Sequence, residues 1–207
     1  MLIADAVTTG YRGAPVLTGV DLRIAPGEIV GVTGDSGAGK TTLARTLAGL
    51  LAPTAGRVTV DGRTPRAARG DIAMVFQNPR AATNPNFTLA DIITEPTKIR
   101  RTPPPDLAAL TASVGLTPDL LDRRPHALSD GQLQRACVAR ALAQSPRYLI
   151  LDEPTAMLDA ATTATLVHLL KSRARDLAIV FITHDQPLLE AICTEITTVA
   201  DGGLTPR

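Results

Sequence analysis

Eight consecutive residues carry the first chemical signal. Gly34-Asp35-Ser36-Gly37-Ala38-Gly39-Lys40-Thr41 has the spacing G-x-x-x-x-G-K-[ST]. Glycines let a backbone wrap a phosphate with its N–H groups turned inward, and the N-terminus of a following helix adds a favourable dipole. Lys40, one of only three lysines in the chain, is expected to reach β- and γ-phosphates, and the Thr41 hydroxyl to bind Mg²⁺, with Thr42 next in the same helical turn. A second signal lies further on. Tyr148-Leu149-Ile150-Leu151-Asp152-Glu153 is an apolar run ending in two carboxylates. Alone, such an end is an ordinary solvated turn. In a parallel sheet, however, strand C-termini gather at the edge that also holds a phosphate loop. Asp152 is then expected in the Mg²⁺ shell, and Glu153 where it can polarise an attacking water. These residues together point to a nucleoside triphosphate site.

The elements that must position them read as an alternation of strands and helices. Val16 to Ile24 alternates apolar positions, Ala25-Pro26-Gly27-Glu28 is a turn, and Ile29 to Thr33 is a continuous β-prone run suited to a buried parallel strand. Leu43, Leu47 and Leu50 predict a helix after Lys40 that stops around Pro53 to Gly56. Arg57 to Val60 reads as a strand entering a tight turn at Asp61-Gly62, and Ile72 to Phe76 as a second buried strand. From about Asn84 the pattern turns helical, over 89–99 and 106–115, across the stiff linker Thr102-Pro103-Pro104-Pro105. Thr117-Pro118 suggests an N-cap with proline at the first helical position. Ser129-Asp130-Gly131-Gln132 suggests a capping box opening a helix to about Gln144. Strand, helix, strand, helix and a last strand follow at 148–151, 160–175, 177–183, 185–193 and 196–200. The expected fold is α/β: a sheet core over 1–83 and 145–207 that carries the phosphate loop, interrupted by a helical insertion over 84–144.

Composition excludes several classes. The 207 residues, 44% hydrophobic with both charge signs present, can fill a sizeable core. A net charge of +1, from 21 basic and 20 acidic residues, gives no field for holding nucleic acid or an anionic membrane. With no Trp and five aromatics there is no stacking platform for single-stranded nucleic acid. Cys137 and Cys193 form no CxxC, and His126, His168 and His184 have no metal-ligand spacing. No apolar run approaches the roughly 18 residues of a membrane span, and Met1-Leu2-Ile3-Ala4-Asp5 lacks signal-peptide character. The expectation is a soluble, cytoplasmic chain.

These motifs resemble those of the ATP-binding subunits of ATP-binding cassette (ABC) transporters, and the similarity covers residues 2–203. GDSGAGKT resembles the Walker A loop and YLILDE the Walker B strand. Gln77, in Val75-Phe76-Gln77-Asn78-Pro79, falls where that family has its Q-loop. Leu128-Ser129-Asp130-Gly131-Gln132 resembles the signature LSGGQ, Ala156-Met157-Leu158-Asp159 the D-loop, and His184 the switch histidine. Tyr11 fits the aromatic that stacks on adenine. The resemblance implies a RecA-like P-loop NTPase core with an N-terminal antiparallel β part and an inserted helical subdomain, and that two cassettes sandwich two ATP molecules. Ser129, Gly131 and Gln132 of one would grasp the γ-phosphate held by the other, and Asp159 would link the two sites. His184 would contact that phosphate, and Gln77 would sense Mg²⁺ and water while moving the helical insertion. It further implies transmembrane permease partners, a position on the inner face of the cell membrane, and no nucleic-acid partner.

Asp130 replaces the first glycine of the signature, and Ala156 stands where many relatives carry serine. The stretches 76–85, 92–96 and 128–135 are similar to the peptide/nickel importer branch, which implies import of peptides, nickel or metal–chelator complexes. Two alternatives stay open at this level: a non-transport cassette, for instance in iron–sulfur assembly, and a module that holds ATP with weak hydrolysis. A DNA-repair cassette would need sustained heptads, a translation factor a second phosphate loop, and a GTPase an Asn-Lys-x-Asp reader. The sequence has none of these.

Overall fold

Residues 1–206 are described by the computed structural model of the chain, and they divide into two compact units. The first comprises 1–74, 147–153 and 173 onward. Its N-terminal part is an antiparallel sheet of β1 (Leu2–Tyr11), β2 (Ala14–Ile24) and β4 (Ala55–Val60), in the order β2-β1-β4. Alternating side chains bury one face, which puts Leu2, Ala4, Leu17, Val20, Val58 and Val60 into the core. The β4 strand ends in a two-residue turn. Asp61 and Gly62 have φ of 50° and 76°, as an Asp-Gly pair between hydrogen-bonded Val60 and Arg63 favours.

The second sheet has the order β5-β6-β7-β3-β8-β9. Its strands are β3 (Ile29–Gly34), β5 (Ile72–Val75), β6 (Tyr148–Asp152), β7 (Ala178–Ile182), β8 (Glu195–Ala200) and β9 (Gly203–Pro206). Pairs β6·β7, β7·β3 and β3·β8 are parallel, and every residue of β6 and β7 is buried, as their continuous apolar runs demand. Strand β9 returns antiparallel to β8, so Ile196–Ala200 is not the last strand. Its four residues, Gly203-Leu204-Thr205-Pro206, have little β propensity of their own. Helix α1 (Lys40–Leu47) follows β3 and is shorter than the leucine spacing predicts. Gly49 adopts a left-handed φ of 70° and its N–H bonds back to Thr46, which closes the helix before Leu50. Helix α6 (Gln186–Ile192) starts on Asp185, whose carboxylate accepts from the Leu188 N–H.

Tyr148 is buried at the start of β6, and its hydroxyl donates to Asp61 Oδ1 at 2.8 Å. Asp61 is also bound by the Met1 ammonium and by Arg147, and the ammonium, with Tyr148 and Arg147, holds its carboxyl below the usual range. Burial first, then Asp61, push the Tyr148 phenol up to about 12. Tyrosine in the unfolded chain ionises near 10, so the unfolded state releases this proton first. Tyr148 therefore stabilises the fold fully below pH 10, and the contribution is lost as pH rises towards 12. Urea unfolding should show the wild type losing about 2 kcal/mol more than Tyr148→Phe between pH 9 and 12. Parallel losses in the two proteins would refute this.

The second unit comprises 75–146 and 154–172. Helices α2 (Leu89–Arg100), α3 (Leu107–Ser113), α4 (Asp130–Ala143) and α5 (Ala160–Arg173) dominate it. Thr88 and Asp91 form a capping box on α2, which is followed by left-handed Arg101. Leu89, Ile92 and Ile93 of α2 and Leu133, Ala136 and Val138 of α4 are fully buried, and the two helices pack together. Thr117 holds the N-cap position with Pro118 first in the turn, but Pro118–Leu120 is a single 3₁₀ turn and the Thr117 side chain makes no cap bond. Three residues give no helical ladder for it to complete. Among the described residues, no helix is long and apolar enough to cross a membrane. Cys137 and Cys193 are both free thiols.

Candidate functional site

The phosphate loop leaves β3 at Gly34 and enters α1 at Lys40. Two of its glycines are required by their surroundings. Gly34 has φ 143° and a Cβ there would lie 2.4 Å from the Val199 carbonyl oxygen. Gly39, at φ 110°, would drive a Cβ to 2.8 Å from Val16. Asp35, Ser36 and Gly37 are exposed, Ala38 and Lys40 are partly buried, and Thr42 is buried. Gly39 precedes α1 with no side chain to cap it, and the first turn carries no acidic residue. The leading N–H groups of α1 thus have no intrahelical acceptor, which is the arrangement that binds anions. Lys40 folds back across the loop, its Nζ donating to the carbonyls of Gly34 at 2.7 Å and Asp35 at 2.8 Å.

Asp152 ends β6 at 2% exposure, where burial pushes its carboxyl up, opposed by a hydrogen bond from the Thr41 hydroxyl. Glu153 adds to the upward push, while Arg45 and Lys40 oppose it. Glu153 takes a left-handed φ of 50°, which costs of order 1 kcal/mol in a residue with a side chain. That backbone delivers its carboxylate to two partners: Oε2 accepts from the Thr183 hydroxyl at 3.1 Å, and Oε1 lies 3.1 Å from His184 Nδ1. Thr183 also accepts from the Asp185 N–H, so the start of α6 orients the hydroxyl that holds Glu153. The His184 ring is 76% exposed, free to meet a ligand while anchored by Nδ1. Tyr11, at the end of β1, is 42% exposed, and its hydroxyl accepts from Arg45 at 3.2 Å. Sequence reasoning missed Thr183 and Arg45. The only signal for Thr183 was a hydroxyl residue just before the strand-ending histidine.

Mg²⁺ fits this donor set. The Thr41 hydroxyl and the Asp152 carboxylate already meet, both are hard oxygen donors, and a desolvated carboxylate favours a nearby cation. Among the described residues no group of three or more His, Cys, Asp or Glu could hold a metal.

In the second unit, Gln77 sits at an exposed bend just after β5. Ser129 caps α4 in a capping box: its hydroxyl accepts from the Gln132 N–H at 3.1 Å, and Gln132 Oε1 accepts from the Ser129 N–H at 2.9 Å. Gly131 has to be glycine, since a Cβ would fall 2.7 Å from the Met157 carbonyl oxygen. The signature and D-loop backbones are thus in direct contact. Asp159 spends its carboxylate on the start of α5, accepting from the Thr162 N–H at 2.8 Å, and these backbone bonds hold its carboxyl below the usual range. Arg135 is steadied on the Gly131, Val114 and Gly115 carbonyls. The structure therefore groups the predicted residues in two sets: Tyr11, the phosphate loop, Asp152, Glu153 and His184 in one unit, and Gln77, Ser129, Gly131, Gln132 and Asp159 in the other.

Residues 17–156 match the family described as ABC transporter. The oligopeptide transport ATP-binding protein OppF of Escherichia coli K12 is 40% identical over 86% of the chain, and 58% of OppF is covered. The nickel import ATP-binding protein NikE of Rhodospirillum rubrum is 38% identical over 98% of the chain and 82% of NikE. The ATP-binding cassette MJ0796, solved as a dimer in a post-hydrolysis state bound to ADP and Pi, superposes with a TM-score of 0.90. It is 27% identical over 100% of this chain and 98% of that one. The chain belongs to the ABC transporter family, and its fold is that of the ABC ATPase cassette. It spans a little over half the length of OppF.

Proposed function

We propose that this chain is the ATP-binding and ATP-hydrolysing subunit that powers an ABC importer of peptides, nickel or metal–chelator complexes. The observation that carries the reading is Glu153, buried at the end of β6 and held between Thr183 and His184, next to an Asp152 that already engages Thr41. The names of OppF and NikE supply the cargo class. Residues 1–207 then form one ATPase domain that pairs with a second cassette and with transmembrane permease subunits, on the cytoplasmic face of the membrane.

Lys40 and the unpaired N–H groups of α1 bind the phosphates of ATP, and Tyr11 stacks on the base. Thr41 and Asp152 hold Mg²⁺, which when bound neutralises charge developing on the phosphate oxygens. Glu153 Oε1 and Oε2 orient the attacking water and accept its proton, while Thr183 keeps the carboxylate from rotating away. His184 steadies the γ-phosphate from its exposed ring edge. Ser129, Gly131 and Gln132 present a capped helix N-terminus to the nucleotide of the partner cassette. Asp159 sits beside them, and Gln77 serves as the Q-loop.

Phosphate release from Mg-ATP should rise more steeply than linearly with protein concentration, because one cassette completes the site of another. Nucleotide binding with no release, alone or within the permease complex, would overturn the ATPase reading. Uptake of labelled peptide against nickel into vesicles carrying that complex separates the cargo classes.

A further inference from the structure

An aspartate inside the signature demands an account. Asp130 is the first residue of α4, next to the Ser129 cap and to Gly131. A carboxylate there suits the helix dipole, but it occupies the neighbourhood of an anion site and repels a second anion. The structure shows where that charge goes. Arg80 Nε donates to Asp130 Oδ1 at 2.6 Å, and the same guanidinium donates to the carbonyls of Pro125 and Leu128, each at 3.0 Å. Pro125 and Leu128 lie on the segment that leads into the signature, so one side chain grips that segment at three points. Both partners are half exposed at 47%, and a single-contact surface pair of that kind contributes little to stability. The two carbonyl bonds distinguish Arg80: they fix the planar fork so that its Nε edge faces Asp130. The base of Arg80 is equally constrained. It lies in a turn closed by Ala82 N–H to the Pro79 carbonyl, with the buried Thr83 hydroxyl on the same carbonyl.

We propose that Arg80 is a positioning residue that makes Asp130 tolerable in the signature, drawing its carboxylate into a neutral, clasped pair so that the γ-phosphate of a partner cassette meets no net negative charge. The inference rests on the reading of Ser129–Gln132 as the phosphate-grasping segment. It also ties the turn three residues beyond Gln77 to the signature through a bond that a glycine at 130 could not make.

The test is a double-variant cycle on Mg-ATP hydrolysis by the assembled transporter complex, at low and high salt. Arg80→Ala should lower kcat/KM by about tenfold or more at low salt, less at high salt where the freed carboxylate is screened. Combined with Asp130→Gly, the same change should cost no more than about twofold relative to Asp130→Gly alone, a strong non-additivity. Equal losses in both backgrounds would overturn the proposal, since Arg80 would then serve only the shape of the loop. Arg80→Gln, which keeps a neutral donor, guards against misfolding and should follow the same pattern. A wild-type complex that binds but does not hydrolyse ATP would instead strike the functional reading. The pair is then judged on the nucleotide-free chain, by hydrogen exchange at the Ser129 and Gln132 amides. Arg80→Ala should speed that exchange about tenfold with Asp130 present and far less in the Asp130→Gly background. Equal effects in the two backgrounds again reject it.

Discussion

Glu153→Gln should abolish turnover while leaving the cassette able to bind ATP. The change is isosteric, and the amide can still accept from the Thr183 hydroxyl and face His184, so the left-handed turn after β6 keeps its contacts. The lost property is the capacity to take a proton from water. Removing a positioned general base costs about 10²–10⁴-fold in rate, so phosphate release should fall by that factor with nucleotide affinity within a few-fold of wild type. With hydrolysis blocked, ATP should hold two cassettes together, and light scattering should report an ATP-dependent increase in mass that the wild type shows only transiently. Turnover within tenfold of wild type would remove Glu153 from the role of base. Loss of ATP binding as well would indicate that the substitution had disturbed the adjacent Asp152–Thr41 pair.

Lys40→Ala should act one step earlier, on binding. The ammonium bridges the carbonyls of Gly34 and Asp35, the two residues where β3 gives way to the loop. It thus contributes both a positive charge and two bonds that tie the start of α1 to the beginning of the loop. Charge-assisted bonds to phosphate are the strong ones, and losing this one should weaken Mg-ATP binding by about 10²-fold. Thermal denaturation gives a direct reading. Ligand that binds only the folded state raises the melting temperature, so Mg-ATP at a concentration that stabilises the wild type should leave the variant unmoved. Equal stabilisation of both would mean that the N–H groups of α1 suffice without the lysine.

The elements that could be read from sequence are those whose signal is local. The phosphate loop joins a continuous apolar strand to a helix, and both lie where the pattern placed them, although Gly49 ends the helix early. The Ser129 capping box was equally legible, because cap and Gln132 are three residues apart and satisfy each other. Strand β9 was not, since its place depends on pairing with β8 rather than on its own residues. The residues that hold the site in place were hidden for a related reason. Thr183 reaches Glu153 across 30 positions of sequence, Arg45 reaches Tyr11 across 34, and Arg80 reaches Asp130 across 50. Neither member of such a pair carries a mark of the other until sheet and helix have brought them together. The importance of Asp130 was visible as a departure from a motif, but its partner was not.

The left-handed backbone at Glu153 sets a boundary on engineering this cassette. Folding by itself prefers glycine at such a position. A selection for heat resistance or expression will therefore be drawn to that substitution, and each success of that kind discards the carboxylate on which turnover is proposed to depend. Improved variants should be sought at positions whose backbone and side chain want the same residue, with Glu153 held fixed from the outset.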